Sequence, residues 1–212
     1  MILSENKNFI FFAVPKTGTT FAKNHFKKHI KDAEDISDVQ HGKHCSQLHQ
    51  HSGIIDVFYL MDEKKYNNTF KVAFTRNPFD RVVSWFSYLT QKLDGKYQRK
   101  RHKKFYGESY LTGDFKDFVL NAPDWCFSNS VSFMINRFGH IEIDYIGKCE
   151  NYRNDLNFIC EKIKIPNIGI KNKKENSSDH KHYTEYYEDE TRRVVEQRMK
   201  LDLDYFNYKF GE

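Results

Sequence analysis

The chain has no long hydrophobic run. Its longest apolar stretch near the start is Phe9 to Val14, six residues followed by a proline. A membrane-spanning helix takes about 20 apolar residues, and a secretory signal takes a basic start with a longer apolar segment. Neither pattern is present, so a cytoplasmic location without a transmembrane segment is expected. Cysteine is equally scarce. Cys45, Cys126, Cys149 and Cys160 are the only four in 212 residues, and none form a Cys-x-x-Cys pair. That excludes a disulfide scaffold and points to a reducing compartment. Charge of one sign is not in large excess either: Lys plus Arg exceed Asp plus Glu by 34 − 29 = 5. So mild a surplus suits an anionic ligand and gives no ground for expecting a nucleic-acid partner. Internal repeats are absent.

Aromatic residues are abundant. The 19 Phe, 13 Tyr and 2 Trp supply much of the volume of a packed core and exclude a disordered polymer. The length suits one domain over 1–212.

Residues 8–14 form a continuous apolar run that reads as a buried strand of the parallel-sheet kind. The run stops at Pro15 and enters Lys16-Thr-Gly-Thr-Thr20. Ala22, His25, Phe26, His29 and Ile30 then fall at helical spacing. Strand, small-residue loop and helix together present backbone N–H groups to an anion. Residues 32–56 are polar and histidine-rich, and read as loop with short helical pieces. Residues 70–75 read as a second strand. Asn77 reads as the N-cap of a helix with Pro78 at its first position and Val82, Trp85, Phe86 and Leu89 on its apolar face. Further helices are expected near 114–121 and 129–138, the latter with Val131, Met134, Ile135 and Phe138 together. A strand at 142–146 precedes a helix carrying Tyr152, Leu156, Ile159, Cys160 and Ile163, which ends before Pro166. A last helix is expected from about Thr184, acidic at its start and basic at its end, as the helix dipole favours. Two segments stand apart: a basic insertion at 92–104 and a polar loop at 171–182. The alternation of strands and helices predicts a three-layer α/β domain with a mostly parallel central sheet flanked by helices.

Two segments carry chemistry. In the first, Gly18 permits a tight turn, Thr19 and Thr20 offer hydroxyls, and Lys16 places a positive charge at the loop mouth. Lys16 precedes the glycine, so the order is not that of a Walker A motif; an ordinary strand-to-helix turn with an exposed lysine would look the same. In the second, Arg76-Asn-Pro-Phe-Asp-Arg81-Val-Val-Ser84, Arg76 lies at the carboxyl end of a strand and Ser84 two turns into a helix. Ligands of open α/β sheets bind beyond the carboxyl ends of the strands, and an arginine fork suits phosphate. Arg81 reads better as a structural residue, paired with Asp80 or with an acid elsewhere.

Together the two segments resemble the PAPS-dependent sulfotransferases (PAPS is 3′-phosphoadenosine 5′-phosphosulfate). The likeness is to the carbohydrate branch related to heparan sulfate 2-O-sulfotransferases and their bacterial relatives. Lys43-His44-Cys-Ser resembles a Lys-His-Ala-Ser segment of that branch, Tyr145-Ile-Gly-Lys-Cys-Glu150 its Ile-Gly-Arg-Tyr/Phe-Glu segment, and Asp204 to Phe210 its terminal Asp-x-x-x-Phe-Gly-Tyr, with Asn207 where a glycine is common. The resemblance implies a P-loop-like fold and PAPS as donor co-substrate. Lys16, Thr17, Gly18, Thr19 and Thr20 would bind the 5′-phosphosulfate, Arg76 and Ser84 the 3′-phosphate. The 171–182 loop would close over the nucleotide, and no metal would be required. The acceptor would be a carbohydrate or another hydroxyl compound, and an anionic one would suit the 92–104 run, which otherwise reads as a solvated loop.

Transfer to an alcohol needs a base, and histidine titrates near neutral pH. His44 is the candidate, by its match to the Lys-His position, with a neighbouring carboxylate as the alternative. A zinc reading of His44, Cys45, His49 and His51 fits no standard spacing. The expected catalytic residues are thus Lys16 and His44. A Mg²⁺-dependent P-loop-type kinase and a non-catalytic polyanion-binding module are the rival readings. The first lacks the Gly-Lys-Thr order and an obvious Mg²⁺-binding acid after the second strand, and the second would bind polyanions with steep salt dependence and ignore PAPS.

Overall fold

The computed structural model describes residues 1–35, 52–59, 61–91, 113–169 and 181–212. They divide into two compact units, one of Met1–Arg76 with Ser130–Asn176 and the other of Asn77–Asn129 with Ser177–Glu212. His44, the wider 41–51 histidine run and the 92–104 insertion lie outside the described residues, as does the 171–182 loop apart from Lys181 and His182.

The first unit is built on a five-stranded sheet. Its strands are β1 (Ile2–Ser4), β2 (Phe9–Phe12), β3 (Glu34–Asp35), β4 (Phe70–Thr75) and β5 (Tyr145–Lys148), ordered β3-β1-β2-β4-β5. The pairs β2/β4 and β4/β5 are parallel, and β1 pairs antiparallel with both β2 and β3. The sheet is therefore mixed, not mostly parallel. The reason is β1, a three-residue strand too short to carry a hydrophobic period of its own. It pairs Ile2 with Phe11 and Ser4 with Phe9 through the turn at 5–8.

All four residues of β2 are buried, which accounts for the unbroken apolar run. Phe9, Phe11 and Ala13 share one face with Val72 and Phe74 of β4. There they pack against Ala22, Phe26 and Ile30 from α1 (Thr19–His29) and Leu156, Ile159, Cys160 and Ile163 from the Tyr152–Lys162 helix. Phe26 wedges between Phe9 and Phe11 with ring centroids 5.0 and 5.3 Å away. Ile10, Phe12 and Ala73 alternate to the opposite face and are equally buried. Two short helices, α2 (Ile54–Phe58) and α3 (Glu63–Asn67), precede β4.

The second unit is helical. The α4 helix (Pro78–Gln91) begins as its sequence predicts, with the Asn77 side chain accepting from the Phe79 N–H at 3.1 Å. Val82, Trp85, Phe86 and Leu89 are buried, in a core shared with α5 (Phe115–Asn121) and α7 (Asp189–Arg198). The helix Tyr152–Lys162 of the first unit is α6, and α8 (Lys200–Phe206) is the last. Asn207 ends α8 in the left-handed conformation, φ +54°. That explains both why a glycine is common there and why asparagine, which tolerates this region, can replace it.

Three expected elements differ. The strand expected at 142–146 is β5, which runs from Tyr145 to Lys148. Residues 129–138 are not an α-helix: a 3₁₀ turn at Ser130–Phe133 gives way to a bridge between Ile135 and Ile141. The Asn136 side chain accepts from the N–H groups of Phe138 and His140, and Gly139 adopts φ +80°. Local asparagine and glycine chemistry here overrides an apolar spacing that imitates a helix. Downstream, a 3₁₀ turn occupies Tyr183–Tyr186, and the helix starts only at Asp189 behind a Glu188–Thr191 capping box.

Candidate anion-binding site

The loop between β2 and α1 is tightly wound. Lys16 has φ +63° and Gly18 φ +74°. For glycine this costs nothing, but a left-handed lysine costs about 1–2 kcal/mol, so the surrounding structure must hold it. Two contacts do so. The buried Thr17 hydroxyl donates to the Val14 carbonyl at 2.9 Å, and Arg76 Nη1 donates to the Lys16 carbonyl at 3.2 Å. Strain held in this way is a mark of a functional loop. Thr19 and Thr20 open α1, which Gly18 caps without a side-chain hydrogen bond. No acidic residue occupies the first turn, while Lys27, Lys28 and His29 occupy the last. The positive end of the helix dipole at the loop is therefore not neutralised by a carboxylate of its own first turn.

Lys16 and Arg76, 60 positions apart in sequence, are thus brought together in one unit. The parallel pairing of β2 with β4 does this, since both loops leave the carboxyl end of the sheet. Lys148 ends β5 in register with Thr75 and adds a basic residue at the same end. Ser84 belongs to the second unit, where it is buried on α4. Arg81 is also there, 1% exposed, donating to Asp202 at 3.1 Å and to the Ser128 carbonyl. The acid Asp202 lies elsewhere in the chain, 121 positions away.

One important side chain was not legible as such in sequence. Tyr152, at the start of α6, donates its hydroxyl to the Gly18 carbonyl at 2.6 Å. Burial, the largest cause, pushes this phenol well above the usual tyrosine range, so it stays protonated and donating. Its ring packs on Phe74 with centroids 4.7 Å apart. A Cβ on Gly18 would meet Tyr152 Cε2 at 2.6 Å, and one on Gly147 would meet Phe74 Cε1 at 2.6 Å. Two rings therefore fill the space between two glycines, in the order Gly147, Phe74, Tyr152, Gly18. Only the position of Tyr152 beside an apolar helix face was visible beforehand. Asp155 holds the entry to α6, accepting from the Lys148 N–H at 2.6 Å and from Asn151 Nδ2 at 2.7 Å.

Replacing Gly18 by alanine meets both the left-handed penalty and the Tyr152 ring. The expected loss is at least about 1–2 kcal/mol, measured by urea denaturation. The loss should be non-additive with Tyr152→Ala in a double-mutant cycle; strict additivity would show that the ring does not confine the loop.

The chain is an α/β protein whose mixed sheet carries a strained loop at the start of a helix, with Arg76 on the loop's backbone. The sulfotransferase family model matches residues 1–209, nearly the whole chain, and the protein belongs to that family. No curated protein and no solved structure gave a significant match. Among the described residues no helix is long and apolar enough to cross a membrane.

Proposed function

We propose that this chain transfers a sulfuryl group from PAPS to a hydroxyl of a carbohydrate. The observation that supports the reading is the contact, within one unit, of the Arg76 guanidinium with the carbonyl of Lys16. A helix start with no side-chain cap, a lysine and an arginine suit the dense negative charge of a phosphosulfate and a 3′-phosphate. Family membership supports sulfuryl transfer in general. PAPS as donor and a carbohydrate as acceptor rest on the finer resemblance of the Lys16–Thr20 and Arg76–Ser84 segments, and a three-layer, P-loop-like arrangement would accompany them.

The reaction is an in-line displacement without a metal. The acceptor oxygen forms a bond to sulfur as the bond from sulfur to the bridging oxygen of PAPS breaks. His44 takes the acceptor proton. Lys16 and the amides of residues 17–20 stabilise the charge left on the bridging oxygen of the departing 3′-phosphoadenosine 5′-phosphate. As in phosphoryl transfer, positioning and charge stabilisation do most of the work. Arg76 and Ser84 hold the 3′-phosphate. The share given to Ser84 rests on its sequence spacing from Arg76, and that of His44 on the Lys-His match.

Calorimetric titration of 3′-phosphoadenosine 5′-phosphate tests the donor site. Micromolar binding is expected for the native chain, with at least a tenfold loss in Arg76→Ala and for adenosine 5′-phosphate. Binding that ignores both the 3′-phosphate and Arg76, or no binding by folded protein, overturns the assignment.

A further inference from the structure

The carboxyl half of α1 carries two histidines that the proposed reaction does not use. His25 and His29 are one helical turn apart, with ring centroids 4.6 Å apart and planes inclined by 50°. Both are half-buried, open to solvent on one side. His25 Nε2 lies 2.8 Å from the Pro166 carbonyl oxygen. A carbonyl only accepts, so Nε2 carries the proton, and the lone pair of the neutral ring sits on Nδ1. This is how a backbone carbonyl fixes the tautomer and orientation of a metal-binding imidazole. Burial first, and then the charges of His29 and Lys28, hold the His25 pKa below the ordinary histidine value against the raising effect of its bond to Pro166.

The spacing of the rings is informative. Two imidazoles bound at right angles to one ion, with metal–nitrogen distances of about 2.0–2.1 Å, have centroids about 4.5 Å apart; a tetrahedral angle widens this to about 5.2 Å. The observed 4.6 Å fits the right-angled case.

We propose that His25 and His29 form a two-histidine site for a divalent transition-metal ion, with Cu²⁺ the tightest binder. Imidazole pairs favour Cu²⁺ over Ni²⁺ and Zn²⁺ in the Irving–Williams order, and right-angled nitrogen ligation suits Cu²⁺ and Ni²⁺. Mg²⁺ and Ca²⁺ require oxygen ligands and are excluded. Among the described residues no group of three or more His, Cys, Asp or Glu side chains converges, so solvent completes the coordination. Lys28 beside the pair limits the affinity. A bound ion ties together the last two turns of α1 and, through His25, keeps that helix fastened to the chain at Pro166.

The test is titration of CuCl₂ into the untagged full-length chain, followed by calorimetry, by the nitrogen hyperfine pattern in electron paramagnetic resonance, and by thermal denaturation. The variants are His25→Gln, His29→Gln and a third with His41, His44, His49 and His51 all changed to Gln. One Cu²⁺ with two nitrogen ligands and a raised Tm are expected for the native chain and for the third variant. Each single variant should bind at least tenfold more weakly and lose the Tm rise, while MgCl₂ has no effect. Folding is checked by circular dichroism, and either single variant decides the matter if the other fails to fold. Unchanged binding in a folded single variant overturns the site. So does loss of binding in the third variant, which would move the ion to the 41–51 run.

Discussion

Replacing Lys16 by alanine is expected to lower the rate of sulfuryl transfer by about 10²–10³. Affinity for 3′-phosphoadenosine 5′-phosphate should stay within a few-fold of the native value. The asymmetry follows from where the charge acts. In the proposed reaction the Lys16 cation answers charge that develops on the bridging oxygen only as the bond to sulfur breaks, so its absence is felt in turnover more than in binding. Arg76, which in the same reading faces a 3′-phosphate whose charge does not change, should show the opposite pattern. Lys16→Gly separates the side chain from the backbone. It removes the cation and also relieves the left-handed φ of +63°, so it should be as slow as Lys16→Ala yet more stable by about 1 kcal/mol. Steady-state kinetics, calorimetry and urea denaturation of the two variants provide the check. An equal fall in rate and affinity for Lys16→Ala would reduce the residue to an anchor.

The largest effect on stability is expected at Arg81 and Asp202, which are 1% and 0% exposed and 3.1 Å apart. Removing either partner leaves the other charge buried without its counter-ion, at a cost of about 3–5 kcal/mol. Against a total of about 5–15 kcal/mol for a folded domain, Arg81→Met or Asp202→Leu should bring the protein close to unfolding at room temperature. The double variant should be markedly more stable than the sum of the two losses implies, because apolar side chains of similar volume can fill the site. Urea denaturation measures all three. Single losses under about 1 kcal/mol would mean that the pair is not closed off from water.

Much of this was readable in the order of residues, for physical reasons that differ from place to place. β2 could be read because it is buried along its whole length, so its apolar signal is uninterrupted, and β4 because Val72, Ala73 and Phe74 are buried in a row. The start of α4 could be read because asparagine before proline has few other uses there. Other features could not be read. β1 borrows its register from β2, and the hairpin around Asn136 and Gly139 hides behind a helical apolar spacing. The loop at 16–20 and Arg76 were visible as separate pieces, and their contact depends on which strands are neighbours. Tyr152 lies 134 positions from the glycine it touches and Asp202 lies 121 from Arg81. No local pattern announces a partner at that range.

The stack of Gly147, Phe74, Tyr152 and Gly18 makes the loop answerable to a residue with no chemistry of its own. A methyl group added at either end would lie 2.6 Å from a ring carbon, so a ring must shift, and interiors packed to crystal-like density pass such displacement on. Enlarging residue 147 therefore acts as a push rod on the opposite end of the row. Sequence drift at a silent glycine in a strand would be felt by the loop before the sheet, and the mouth of the loop would be set by how little matter stands two aromatic rings away.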